Sequence, residues 1–168
     1  MSIAAAVPVE EYLSTTYRPD VDYVDGELIE RNMGEQDHGW LQTEMVFWLR
    51  LMAKELHIRP LNEVRVQIGP KRFRVPDIIV LDESAARDPI VREAPLLCIE
   101  ILSPDDTMQR IMVRIGDYLQ MGVPTCWIVD PIDHLAWIAD ESGLHPVKDG
   151  VLRAAHIALP LTDIWPES

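Results

Sequence analysis

The chain has 168 residues and weighs 19.2 kDa, the size of one ordinary domain, so residues 1–168 are expected to fold as one unit. With 48% hydrophobic and 26% charged residues it can bury a core, which excludes wholesale disorder. Its apolar runs, such as Pro95-Leu96-Leu97-Cys98-Ile99, are too short for a membrane helix, and a net charge of −13 disfavours polyanionic partners in bulk.

The opening MSIAAAVPVEEYL lacks a basic region followed by a long apolar stretch, so a secretory leader is not expected. Cys98 and Cys126 sit inside apolar runs and read as small core residues of a cytoplasmic protein, not as a disulfide or zinc framework. The charge is unevenly spread. Residues 1–44 hold 10 acids and 2 bases, residues 45–75 hold 2 acids and 7 bases, and residues 76–168 hold 16 acids and 6 bases. One basic island, ending in Lys71, Arg72 and Arg74, thus precedes Asp77. It reads either as a solvated helix end and hairpin tip or as a phosphate-contacting rim.

Taken in order, Pro8-Val9-Glu10-Glu11-Tyr12-Leu13 opens a short helix, with Pro and acids in its first turn. Residues 22–30 read as a β-hairpin turning at Asp25-Gly26, which supply positive φ angles. A helix over about 37–56 carries Leu41, Met45, Trp48, Leu49, Met52 and Leu56 at helical spacing. Residues 61–68 and 74–81, separated by Gly69-Pro70-Lys71, read as a second hairpin. Residues 96–102 are apolar on both faces, as in a buried central strand. A helix over about 106–121 follows, closed by Gly122-Val123-Pro124, and then a second buried strand at 125–131. Strand, helix and strand in that order make a βαβ unit with parallel strands and a right-handed crossover. Short strands are expected near 134–139, 144–147 and 156–159, and Trp40, Trp48, Trp127 and Trp137 are expected in the core. The fold class is mixed α/β (α+β), with an N-terminal β-hairpin.

Two carboxylates interrupt the apolar strands. Asp77 lies in Val75-Pro76-Asp77-Ile78-Ile79-Val80-Leu81, and Glu100 in Leu97-Cys98-Ile99-Glu100-Ile101-Leu102. Strand side chains alternate faces, so Asp77 goes with Ile79 and Leu81, and Glu100 with Cys98 and Leu102. Isolated ionised carboxylates among such neighbours need a cation, a hydrogen-bond network or a proton. On adjacent strands the two would reach one divalent ion, and oxygen ligands suit Mg²⁺ or Mn²⁺. Equally, each acid could lie at a solvated strand end or pair with a base such as Arg74.

Three blocks, Arg74–Val80, Cys98–Pro104 and Asp117–Pro131, in this order and spacing, resemble the Uma-two family of "putative restriction endonucleases" within the PD-(D/E)XK nuclease superfamily. The Tyr23–Glu30 hairpin and His38 also resemble the family pattern, and the resemblance spans roughly residues 8–140. It implies a restriction-endonuclease-like core, a central mixed β-sheet flanked by helices with the carboxylates at its centre, and metal-dependent cleavage of DNA phosphodiesters. Asp77 and Glu100 would be the motif's acids and metal ligands, the Ile101 carbonyl a further ligand, and Glu30 a third carboxylate if it is more than an exposed strand acid.

The motif's lysine is absent. Two positions after Glu100 stands Leu102. The resemblance places the substitute one turn before Tyr118, at Arg114, a residue suited to gripping phosphate but poor at exchanging protons. The bland alternative for Arg114 is an i,i+3 pair with Asp117 on a wet face. His38 and Tyr118 rank as auxiliary residues, and Lys71, Arg72 and Arg74 as nucleic-acid contacts. A homodimer is expected, since cutting both strands needs two sites. Beside this DNA endonuclease stand two other readings. One is a nuclease-like fold without turnover that binds nucleic acid or protein. The other is a purely structural domain with solvated acids.

Overall fold

The computed structural model describes residues 6–32 and 34–165. The first five residues of the opening segment lie outside them. The described chain runs α1 (Val9–Ser14), β1 (Val21–Val24), β2 (Glu27–Glu30), α2 (Gln36–Met52), β3 (Ile58–Asn62), β4 (Val66–Gly69), β5 (Arg72–Arg74), β6 (Ile78–Asp82), β7 (Leu97–Ile101), α3 (Met108–Met121), β8 (Cys126–Asp130), β9 (Leu135–Asp140), β10 (Gly143–Pro146), β11 (Val151–Ala154) and β12 (Ile157–Pro160). A six-stranded sheet has the order β10-β9-β8-β7-β6-β3, and a four-stranded sheet the order β2-β1-β5-β4. The pair β11-β12 stands apart.

The large sheet is mixed. β7 and β8 pair in parallel, as the intervening α3 allows, and every other pair in that sheet is antiparallel. β7 is buried along its whole length, which its two-faced apolar sequence anticipates. One face packs under α2, which contributes Leu41, Met45 and Leu49 at i, i+4 and i+8 beside Ile78, Val80, Leu97 and Ile99. The other face holds Ile79, Leu81 and Cys98 against Ile111, Ile115 and Tyr118 of α3. Thr107 caps α3 by accepting the Arg110 N–H at 3.3 Å, and Gly122 ends it at φ 106°.

The hairpin expected over 61–81 is two structures, not one. β4 and β5 form a short hairpin in the small sheet, whereas β3 and β6 pair in the large one. The breaks fall at Glu63, whose φ is 52°, and at Pro76, which has no N–H to give a ladder. Asp77 therefore sits at the point where the chain crosses from one sheet to the other. Trp40 also departs from expectation, being 50% exposed, because α2 turns its Leu41 side inward. β11 was not anticipated by the apolar pattern, since Val151–Ala154 offers only a short run after Gly150.

Candidate active site

The site forms where the two sheets meet α2 and α3. The β6/β7 register pairs Ile78 with Ile99, so one step further sets Asp77 opposite Glu100, which meets Arg114 and Tyr118 of α3. Both acids are buried, at 2% and 1% exposure. Two further acids, Asp22 and Asp117, are buried beside them. Unpaired, such charges would be prohibitive, and each has guanidinium partners.

Asp77 is bound from four sides. Arg31 donates to Oδ1, the Ile101 N–H donates to Oδ2 at 2.7 Å, and His38 Nε2 lies 3.3 Å from Oδ2. Gln42, one turn after His38 on α2, donates to the Asp77 carbonyl at 3.0 Å. A Cβ at Gly34 would come within 3.2 Å of the His38 ring, so the glycine lets the backbone pass close to it. Glu100 accepts from Tyr118 Oη at Oε1 and from Arg114 at Oε2, the latter at 3.0 Å.

Arg114 also donates to Asp22 Oδ2 at 3.1 Å, and makes no pair with Asp117. The i,i+3 alternative on a wet face is thereby displaced: Arg114 turns inward. Asp117 instead takes Arg74 at 2.6 Å and Arg72 at 2.8 Å. Asp22 gathers Arg74 at 2.9 Å, Arg114, and the Val75 N–H at 2.9 Å. One continuous network thus ties β1, β5, β7 and α3 together.

The environments separate the two central acids. Burial pushes both carboxyls up. At Asp77 the His38 hydrogen bond and the Arg31 charge outweigh burial, and the group ends below its ordinary value. At Glu100 burial prevails over the Arg114 charge, and the neighbouring Asp77 adds to it, so the carboxyl is raised to about 7. Burial lowers His38, but its bond to Asp77 overrides this and leaves the imidazole raised. Burial also lifts the Tyr118 hydroxyl well above its usual range, so it stays a donor to Glu100.

A cavity of about 390 Å³ has Arg31, His38, Gln42, Asp77, Ile101 and Arg114 on its wall, with Glu100 and Tyr118 buried behind Arg114. The residues singled out in the sequence divide accordingly. Asp77, Glu100, Ile101, Arg114, His38 and Tyr118 converge. Glu30 is exposed at the end of β2 and borders an adjoining groove with Arg110. The basic island disperses: Arg74 is buried between Asp22 and Asp117, Arg72 bridges Asp117 and Asp25, and Lys71 stands exposed at the hairpin tip. Asp22, Arg31, Gln42 and Asp117 were not foreseen. Asp22 and Asp117 left a faint trace, as acids beside apolar neighbours in Val21–Val24 and along α3, while Arg31 and Gln42 left none.

A family described as "Uma2: Putative restriction endonuclease" matches residues 9–145. The chain belongs to the Uma2 family. Among solved structures, the chain is similar to the crystal structure of a "putative nuclease belonging to DUF820" from Anabaena variabilis. The TM-score is 0.82 at 23% identity, over 93% of this chain and 96% of that one. This likeness establishes the fold that Uma2 membership implies. No curated protein matches the chain.

The oxygen chemistry of Asp77 and Glu100 is that of a hard-cation ligand, but each oxygen is already engaged by Arg31, His38, the Ile101 N–H, Arg114 or Tyr118. Mg²⁺ commonly binds through one or two carboxylates and keeps several waters, and here Asp77 and Glu100 stand opposite each other at the end of the β6/β7 ladder, with Asp77 and Ile101 on the cavity wall. Among the described residues, no group of three or more His, Cys, Asp or Glu is placed to hold a metal ion. No helix among them is long and apolar enough to cross a membrane.

Proposed function

We propose that this Uma2 protein is a metal-dependent endonuclease that hydrolyses DNA phosphodiester bonds, acting in the cytoplasm as a homodimer. The observation that carries the proposal is the placement of Asp77 opposite Glu100 on neighbouring strands, with Asp77 and the Glu100 partner Arg114 on the wall of an open cavity. The family's description and that of the Anabaena variabilis structure support nuclease chemistry. Asp77, Glu100 and the Ile101 carbonyl would hold one Mg²⁺ or Mn²⁺, which when bound supplies water activation and charge neutralisation at phosphorus.

The rest falls to side chains. Arg114 grips a non-bridging phosphate oxygen and stabilises the charge that develops there, keeping its own proton throughout. Tyr118 and Asp22 are positioning residues, one fixing Glu100 and the other fixing Arg114. His38 and Gln42 hold Asp77 from α2, through its carboxylate and its carbonyl. Lys71 and Arg72 serve as outlying backbone contacts. Arg74, enclosed by two aspartates, serves the fold.

The full neutralisation of both acids by arginines, and the missing lysine, favour one competing reading: a nuclease fold that binds nucleic acid without cutting it. Incubation of supercoiled plasmid with Mg²⁺ or Mn²⁺ separates the two. Cleavage by the parent, absent with EDTA and absent in Asp77→Ala and Glu100→Ala, supports the endonuclease. Binding that persists in EDTA without nicking under any metal supports the module.

A further inference from the structure

Arg31 combines two features that a fixed structural counter-ion would not need. Its guanidinium closes the cavity side of Asp77 by donating to Oδ1, one of the oxygens a cation would take. Its Nε is, among the described residues, the one buried side-chain polar atom without a hydrogen-bond partner. A buried guanidinium N–H with no acceptor is costly. The local arrangement therefore satisfies Asp77 at the expense of Arg31. Asp77 itself has replacements to hand: His38 and the Ile101 N–H both remain on Oδ2. Arg31 has none in its present position, but it shares the cavity wall with Arg114, where an anion would meet both cations.

We propose that Arg31 is an exchangeable cap: it covers Asp77 in the free protein and transfers to a phosphate oxygen when a polynucleotide enters, uncovering Asp77 Oδ1 for the divalent ion. The inference rests on the metal-dependent reading of the site and adds an order of events to it. Guanidinium suits both states, since it pairs equally well with carboxylate and phosphate and can present Nε–H and an Nη–H side by side to an oxyanion. The device would keep the site charge-balanced before loading and would make substrate and metal binding mutually supportive.

The test compares parent, Arg31→Gln and Arg31→Lys in two binding measurements that do not require turnover. Mn²⁺ is titrated by electron paramagnetic resonance without nucleic acid. A fluorescein-labelled DNA duplex is titrated by anisotropy in EDTA. Exchange predicts opposite movements in Arg31→Gln: Mn²⁺ binds about tenfold tighter, because its competitor is gone, and DNA binds about tenfold weaker, because a charge-assisted contact is lost. Arg31→Lys should restore much of the DNA affinity. If Arg31→Gln weakens both ligands or moves neither, while Asp77→Asn abolishes Mn²⁺ binding, Arg31 is a structural counter-ion and only this inference fails. If neither the parent nor Arg31→Gln binds Mn²⁺, the metal-dependent reading fails with it.

Discussion

Asp22 offers the sharpest stability prediction, because it joins three elements and has no contact with solvent. It accepts the Val75 N–H at 2.9 Å, Arg74 at 2.9 Å and Arg114 at 3.1 Å. Asp22→Ala orphans the backbone donor, which costs about 1–3 kcal/mol. It also removes one of two carboxylate partners from each arginine. Complete breakage of a buried pair costs about 3–5 kcal/mol, but Asp117 still holds Arg74 and Glu100 still holds Arg114. The sum expected is about 3–5 kcal/mol, a large part of the ~5–15 kcal/mol available to a domain. Asp22→Asn keeps an oxygen for Val75 and should lose only about half as much. Urea unfolding followed by the fluorescence of buried Trp127 measures both variants. A loss below about 1 kcal/mol in the alanine variant would refute the idea that this acid locks the hairpin sheet to α3.

Further expectations concern the chemistry. Arg114→Lys should preserve or raise plasmid cleavage, and Arg114→Ala should lower it by about two orders of magnitude, as loss of one charge-stabilising donor does elsewhere. Because burial raises Glu100 to about 7, Mn²⁺ affinity should climb as pH rises through that value, and Glu100→Gln should remove the climb. The same shift acts on stability. The Glu100 proton bound by the folded state favours folding fully below pH 4.5, and this contribution disappears as pH rises through about 7. Urea midpoints of parent and Glu100→Gln across pH 4–8 report it. Glu30→Gln should leave cleavage unchanged, since Glu30 is exposed on β2. A large loss there would bring the adjoining groove into the site.

Part of this site was legible because strands alternate and Asp-Gly turns are local. Period two alone put Glu100 with Cys98, and the structure has Cys98 on the face packed by Ile111, Ile115 and Tyr118, with Tyr118 bonded to Glu100; Asp77, read with Ile79, instead meets His38 of α2. The Asp25-Gly26 turn and the β7–α3–β8 unit followed from equally local rules. What escaped was long-range. Asp22 meets Arg114 across 92 positions and Arg31 meets Asp77 across 46, and no periodicity encodes such pairings. The basic island misled for the same reason. A run of bases in sequence does not say which of them, like Arg74, are drawn inward by acids from elsewhere in the chain.

Crystals grown or soaked with Mn²⁺ and examined by anomalous diffraction would probe the heart of the account directly. It predicts one strong peak in contact with the carboxylates of both Asp77 and Glu100, lost in crystals of Asp77→Ala. A protein saturated with Mn²⁺ that shows no density between those two groups, or density ligated by other residues, would contradict it.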